Sequence, residues 1–189
     1  MVLGTAYNQA AFIGPLPAPN NTGVCFSLSL HWLANNCEDV FIQSVATAGL
    51  PAYGAGSNNR INLVQNAANW MAAGHIGLPM LVGVAQTNYP NLLNVAPVGV
   101  GPSPLTFGNL AQDFAAAPWP ANLIWLQNPA VGGRGHVLAY HTVRGRFFDA
   151  NNGVYNAEID LHTEMASFIM HHYGPPVFTH FQVFSMQGL

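Results

Sequence analysis

An α+β domain is the fold class this sequence predicts, and three observations carry it. Helical patterns at 24–33, 38–48, 59–73 and 105–116 precede strand patterns at 121–127, 134–142, 144–149 and 177–184, with a helix at 160–172 before the last strand. The first helix carries Cys25, Leu28 and Trp32 on one face and Phe26, Leu30 and Leu33 on another. Two apolar faces place a helix in the middle of a fold. Finally, 189 residues without an internal repeat or a break in composition suit one compact unit.

Each element has a local reason. Residues 1–22 hold three prolines between 15 and 19 followed by two asparagines, and read as an N-terminal arm preceding a domain at 23–189. Thr22 is a candidate cap that puts Cys25 in the first turn of the next helix. Glu38 and Asp39 open a second helix at the end its dipole favours, and Gly49 and Pro51 close it. The Gly/Asn-rich stretch 52–58 reads as a loop. Ile61, Val64, Ala68 and Met71 share one face of the 59–73 helix. Residues 74–105 are punctuated by Pro and Gly, and only Met80–Ala85 resembles a strand. Pro118 and Pro120 close the 105–116 helix.

Composition excludes several functions. Half of the residues are hydrophobic and only 6% are charged, against about a quarter charged in an ordinary domain. That balance argues against intrinsic disorder. A net charge of -3 with four scattered arginines argues against nucleic acid and against anionic membrane surface as partners. The start lacks a basic n-region with an apolar stretch behind it, so no cleavable signal is expected. No run of about 18 apolar residues is present. Cys25 and Cys37 flank a helix, roughly 18 Å apart at helical rise, and are expected to be free thiols.

The chemistry-bearing residues fall at element ends. Cys25, in Asn20-Asn21-Thr22-Gly23-Val24-Cys25, sits where a helix start favours a nucleophilic thiol, although a core cysteine is an equally simple reading. His136 opens the strand Gly135-His136-Val137-Leu138-Ala139-Tyr140, with glycines at 132, 133 and 135 leaving space around it. Asp149 closes the strand Arg146-Phe147-Phe148-Asp149 before Asn151-Asn152-Gly153, and can be either an orienting acid or a turn former. A hairpin of 136–142 and 146–149 brings His136 and Asp149 to one open end. In this order an acid fixes the tautomer, the imidazole takes the thiol proton, and the thiolate attacks a carbonyl carbon.

Taken together, GVCFSLSLHWL around Cys25, GHVLAY around His136 and FFDANNGVY around Asp149 resemble the three signatures of the YopT-type cysteine peptidases. These are papain-like proteases delivered into host cells by bacterial type III secretion. Gly23, Leu28, Ser29 and Trp32 fill the family's places around the nucleophile, and Phe147, Phe148, Asp149, Asn151 and Gly153 fill the third motif. The resemblance spans about residues 25–155. It implies a papain-like fold, Cys25 as nucleophile, His136 as general base and acid, Asp149 as orienter and Asn20 as a side-chain oxyanion donor. A host protein as substrate and the host cytoplasm as place of action follow from the same resemblance. Ala150 and Val154 stand where the family usually has a proline and an acid.

Other chemistries compete with this one. His136 and His141 point to opposite faces of a strand, His171 and His172 are adjacent on a helix, and neither an H-E-x-x-H nor a C-x-x-C is present. No metal and no cofactor are therefore expected. Gly54-Ala55-Gly56 lacks the strand and the basic group of a phosphate cradle. Trp70, Trp119 and Trp125 read as core or loop anchors, with Trp119, between two prolines, an alternative cleft liner. Deamidation or transglutamination of a glutamine side chain uses the same residues as proteolysis, and a non-enzymatic interaction domain is the remaining class. The absence of lysine from all 189 residues, where about eleven are usual, would spare a protein working in a eukaryotic cytosol from ubiquitin attachment, although a general composition bias is the simpler alternative, since Glu is scarce too.

Overall fold

Eight strands form one antiparallel sheet with helices on both faces in the computed structural model, which describes residues 1–9, 24–38, 55–74, 76–131 and 135–189. In chain order the elements are β1 (Val2–Ala6), α1 (Cys25–Ala34), α2 (Ala55–Ala72), α3 (Leu78–Asn88), β2 (Asn94–Pro97), β3 (Ser103–Pro104) and α4 (Phe107–Ala116). They continue with β4 (Ala121–Gln127), β5 (Gly135–His141), β6 (Arg146–Asp149), β7 (Gly153–Asn156), α5 (Leu161–Tyr173) and β8 (His180–Gln187). The strands lie in the order β1-β7-β6-β5-β4-β8-β2, and β3 also pairs with β8. The chain is thus α+β, with helix α1 against the sheet.

Alternation along the strands sorts the core into two layers. Leu123, Val137, Ala139, Phe148 and Val154 face α1, α2 and α3, where they meet Leu28, Trp32, Ile61 and Val64. Ile124, Leu126, Leu138, Tyr140, Phe147 and Val183 face α4 and α5, where they meet Leu110, Phe114, Met165 and Ile169. Helix α1 is buried all round, because every residue from Phe26 to Leu33 is inaccessible to solvent or nearly so. The Trp32 and Phe148 rings stack at 5.5 Å, and Ser29 Oγ donates to Val137 O at 3.2 Å, tying the helix to β5. At about 1.5–3 kcal/mol for each large apolar side chain, this burial fixes where Cys25 can be.

Two readings of the sequence need correction. Met80–Ala85 is not a strand but the middle of helix α3. A six-residue apolar run fits either state; here Gly77 is the N-cap, Pro79 falls in the first turn where proline is tolerated, and Leu81 and Ala85, four apart, are the buried residues. The loop assigned to 52–58 ends by residue 55, since α2 begins at Ala55. Docking of Ile61, Val64 and Ala68 into the core outweighs the weak helix propensity of the Gly/Asn stretch. Within the 1–22 arm, Val2–Ala6 is an edge strand that pairs with β7, a strand itself without a strong local signal. The edge forms because Gly153, at φ 126°, lets β1 approach closely; a Cβ there would lie 2.1 Å from Thr5 O. Residues 39–48 of the second predicted helix, Asn20, Thr22, Gly132, Gly133 and the side chain of Trp70 lie outside the described residues.

Candidate active site

The structure brings Cys25, His136 and Asp149 together at the end of β5. Cys25 is the first residue of α1, which starts without a side-chain cap from Val24. Two amides from elsewhere serve that helix start instead. Gln9 Oε1 accepts from the Val24 N–H at 2.9 Å, and Gln65 Oε1 accepts from the Ser27 N–H at 3.1 Å. The N–H groups of Cys25 and Phe26 belong to the same set of helix-end donors, and both residues line the adjoining groove.

His136 and Asp149 come from neighbouring antiparallel strands in the register Leu138↔Asp149, so His136 is two residues beyond the pairing partner of the acid. His136 Nε2 lies 2.9 Å from Asp149 Oδ1. That contact leaves Nδ1 for Cys25, whose sulfur is near enough to act on the charge of the ring. Strand alternation aims His136 toward the α5 layer whereas Cys25 belongs to the α1 layer. The two meet because β5 begins at Gly135 and the imidazole reaches past the sheet's end.

Asp149 is wholly buried and heavily solvated by protein donors. Besides His136, Oδ1 accepts from the Asn151 N–H at 2.9 Å. Oδ2 accepts from Asn152 Nδ2 and from the Tyr173 hydroxyl, both at 2.6 Å. Burial pushes its carboxyl pKa up, but the bonds from His136, Tyr173 and Asn152 win and hold it below 3.8. For His136, burial disfavours the charged ring, yet the bonds to Asp149 and to Cys25 outweigh it and raise its pKa above 6.5. The arrangement therefore favours an imidazolium between the Asp149 carboxylate and the Cys25 sulfur, with the thiol proton on the ring. Tyr173 completes it, with its ring centroid 4.9 Å from that of His136. Burial, followed by the charge of Asp149, raises the phenol pKa.

A groove of about 530 Å³ opens at Cys25. Trp125, Phe184, Met71 and Leu78 supply apolar walls, with Gln65, Asn69, Gln127, Asn128 and Gln182 among them. Among the described residues, none of its lining side chains other than Cys25 is ionisable. Trp119 is not in this wall; Trp125 is, because it lies on the groove-facing side of β4 beside Gly135. Tyr173, Asn152, Gln9 and Trp125 also belong to the site, and Tyr173, Gln9 and Trp125 lie outside the sequence motifs that point to it. Asn152 had a signal, as an amide three residues after an acid in a turn. Gln9 and Tyr173 had none, since 142 and 22 residues separate them from Asn151, which both touch. Among the described residues no group of three His, Cys, Asp or Glu is placed to hold a metal ion, and no helix is long and apolar enough to cross a membrane.

Comparison with models of protein families gives no match, and neither does comparison with curated protein sequences. Among solved structures the chain is similar to the Pseudomonas avirulence protein AvrPphB, with a TM-score of 0.55, over 87% of this chain and 93% of that one. The two share 16% sequence identity, so the likeness shows a common fold.

Proposed function

We propose that this chain is a papain-like cysteine protease that cuts a peptide bond in a host protein, with Cys25 as nucleophile, His136 as base and acid, and Asp149 as orienter. The observation that carries the reading is the buried His136–Asp149 pair set against the thiol at the head of α1. A core cysteine has no use for an imidazole whose second nitrogen is committed to a carboxylate. The fold shared with an avirulence protein of a bacterium, the YopT-type motifs and the lack of lysine support action inside a host cell.

The chemistry follows from the geometry. The Cys25 sulfur attacks the scissile carbonyl, and its proton resides on His136. Charge on the tetrahedral oxygen is met by the Cys25 N–H and by Asn20, the side-chain donor the family resemblance implies. His136 then protonates the leaving amine, the C–N bond breaks and a thioester remains. Water, deprotonated by the same imidazole, attacks that thioester and releases the acid product with Cys25 restored. Asp149 stays ionised throughout and holds the ring. The groove accepts an extended, uncharged stretch of substrate.

Intact-mass analysis of host proteins, incubated with the protein and separately with its Cys25→Ala variant, tests the reading. New fragments formed only by the unaltered protein are expected. A gain of about 1 Da on an uncut chain would replace proteolysis by deamidation.

A further inference from the structure

Gln9 stands outside every motif that points to the site, yet its side chain joins the site's two halves. Its Oε1 accepts from the N–H of Val24, the residue before Cys25, at 2.9 Å. Its Nε2 donates to Asn151 Oδ1 at 2.9 Å, and its own N–H donates to Ala150 O at 2.8 Å. Asn151 in turn places its backbone N–H on Asp149 Oδ1 and its Nδ2 3.5 Å from His136 Nε2. One amide thus runs from the start of the nucleophile's helix to the turn that carries the orienting acid. It is 6% exposed, and strand β1, whose pairing with β7 ends three residues earlier at Ala6, delivers it.

We propose that Gln9 is a positioning residue for the reaction, a brace that sets the distance between Cys25 and His136. This rests on the assignment of these two residues as nucleophile and base. The core sets α1 against the sheet through contacts such as Ser29–Val137, further along the helix than Cys25. At the helix start itself, the buried Gln9 amide, hydrogen-bonded at both ends, makes the link to the β6–β7 turn. An apolar side chain of the same length would fill the volume and lose the connection, at the further cost of an unpaired Val24 N–H. Small displacements at such a gap are expensive for chemistry, about a hundredfold for 1 Å.

The test uses the full chain and reads Cys25 alkylation by iodoacetamide by mass spectrometry, from acid to alkaline pH, in the parent, in Gln9→Met and in Gln9→Glu. Among the described residues, Cys25, Asp149 and Tyr173 are the titratable groups that face His136; all are unchanged in these variants, and only Gln9→Glu adds a carboxylate, so Gln9→Met carries the comparison of pH profiles. Gln9→Met is expected to alkylate about tenfold more slowly at neutral pH, with the alkaline end of its profile moved to lower pH because the thiol and the ring no longer hold each other. Gln9→Glu keeps an acceptor for Val24 and is expected to fall between the two. Thermal unfolding confirms that each variant is folded; if Gln9→Met is not, the alkylation rate of Gln9→Glu carries the test alone. A parental rate and profile in the folded variants would overturn the brace. A parent in which Cys25 reacts no faster than Cys37 would overturn both the brace and the assignment beneath it. Because the readout is alkylation, a failure to cleave any protein bears on the protease reading alone.

Discussion

The Tyr173 hydroxyl donates to Asp149 Oδ2 at 2.6 Å while its ring lies against the His136 imidazole, so a single side chain from the last helix touches both members of the buried pair. Tyr173→Phe keeps the ring and removes the bond. Asp149 retains donors from His136, Asn151 and Asn152, so the expected loss is about 1–3 kcal/mol of stability, measured by urea unfolding. Tyr173→Ala removes the ring as well and is expected to lose more activity than Tyr173→Phe. Equal activities in the two variants would show that the ring face contributes nothing.

Charge on Asp149 sustains the raised pKa of His136, so Asp149→Asn should be read across pH. The stabilisation that comes from imidazolium is complete below about 6.5 and disappears as pH rises through the higher folded value. Without the carboxylate the folded value falls, and the alkaline end of the Cys25 alkylation profile should move toward neutrality. Turnover should fall by about 10³–10⁴. The carboxylate's own contribution has the opposite sense: it is present above about 3.8 and is lost as pH falls through the lowered folded value. An alkylation profile in Asp149→Asn that overlays the parent's would separate the acid from the histidine's titration.

The two cysteines offer an internal comparison. Cys37 is wholly inaccessible, and burial pushes its thiol pKa up to about 12. Cys25 is partly exposed at the groove with an imidazole beside it. Brief iodoacetamide treatment at neutral pH should modify Cys25 at least about a hundredfold faster, since reactivity follows accessible thiolate. Comparable labelling of both sites would mean that the thiol beside His136 is not activated.

Much of this organisation was legible in sequence because it is local. The apolar residues of α1 on two faces announce burial, and the β5–β6 hairpin follows from two alternating strands separated by a short turn at Gly145. What was not legible depends on long-range pairing. Val2–Ala6 is exposed for most of its length and becomes a strand only because β7 offers an edge. Met80–Ala85 is too short and too uniformly apolar for its period to distinguish helix from strand. At the site, the ends of elements could be aligned from sequence, but the residues that hold Asp149 from another layer could not. Tyr173 is the final residue of a helix whose pattern explains it equally well as core.

Gly135 controls the width of the groove beside the nucleophile. A Cβ at this position would lie 2.5 Å from Trp125 Nε1 and 3.2 Å from Leu126 O. The backbone contact is tight but tolerable, whereas the indole must move. Trp125 is a groove wall that packs near Phe184, with ring centroids 6.4 Å apart, so its displacement narrows the groove and leaves His136 and Asp149 where they are. Gly135→Ala should therefore remain folded, at a cost of about 1–3 kcal/mol for overpacking. Reagent size then isolates the groove. Alkylation of Cys25 by iodoacetamide should stay within about threefold of the parent, while a bulky aryl maleimide should react at least about tenfold more slowly, because only the larger reagent must pass the moved indole. If both reagents slowed by the same factor, the substitution would be acting on the thiol–imidazole pair, and Trp125 would have no part in admitting substrate.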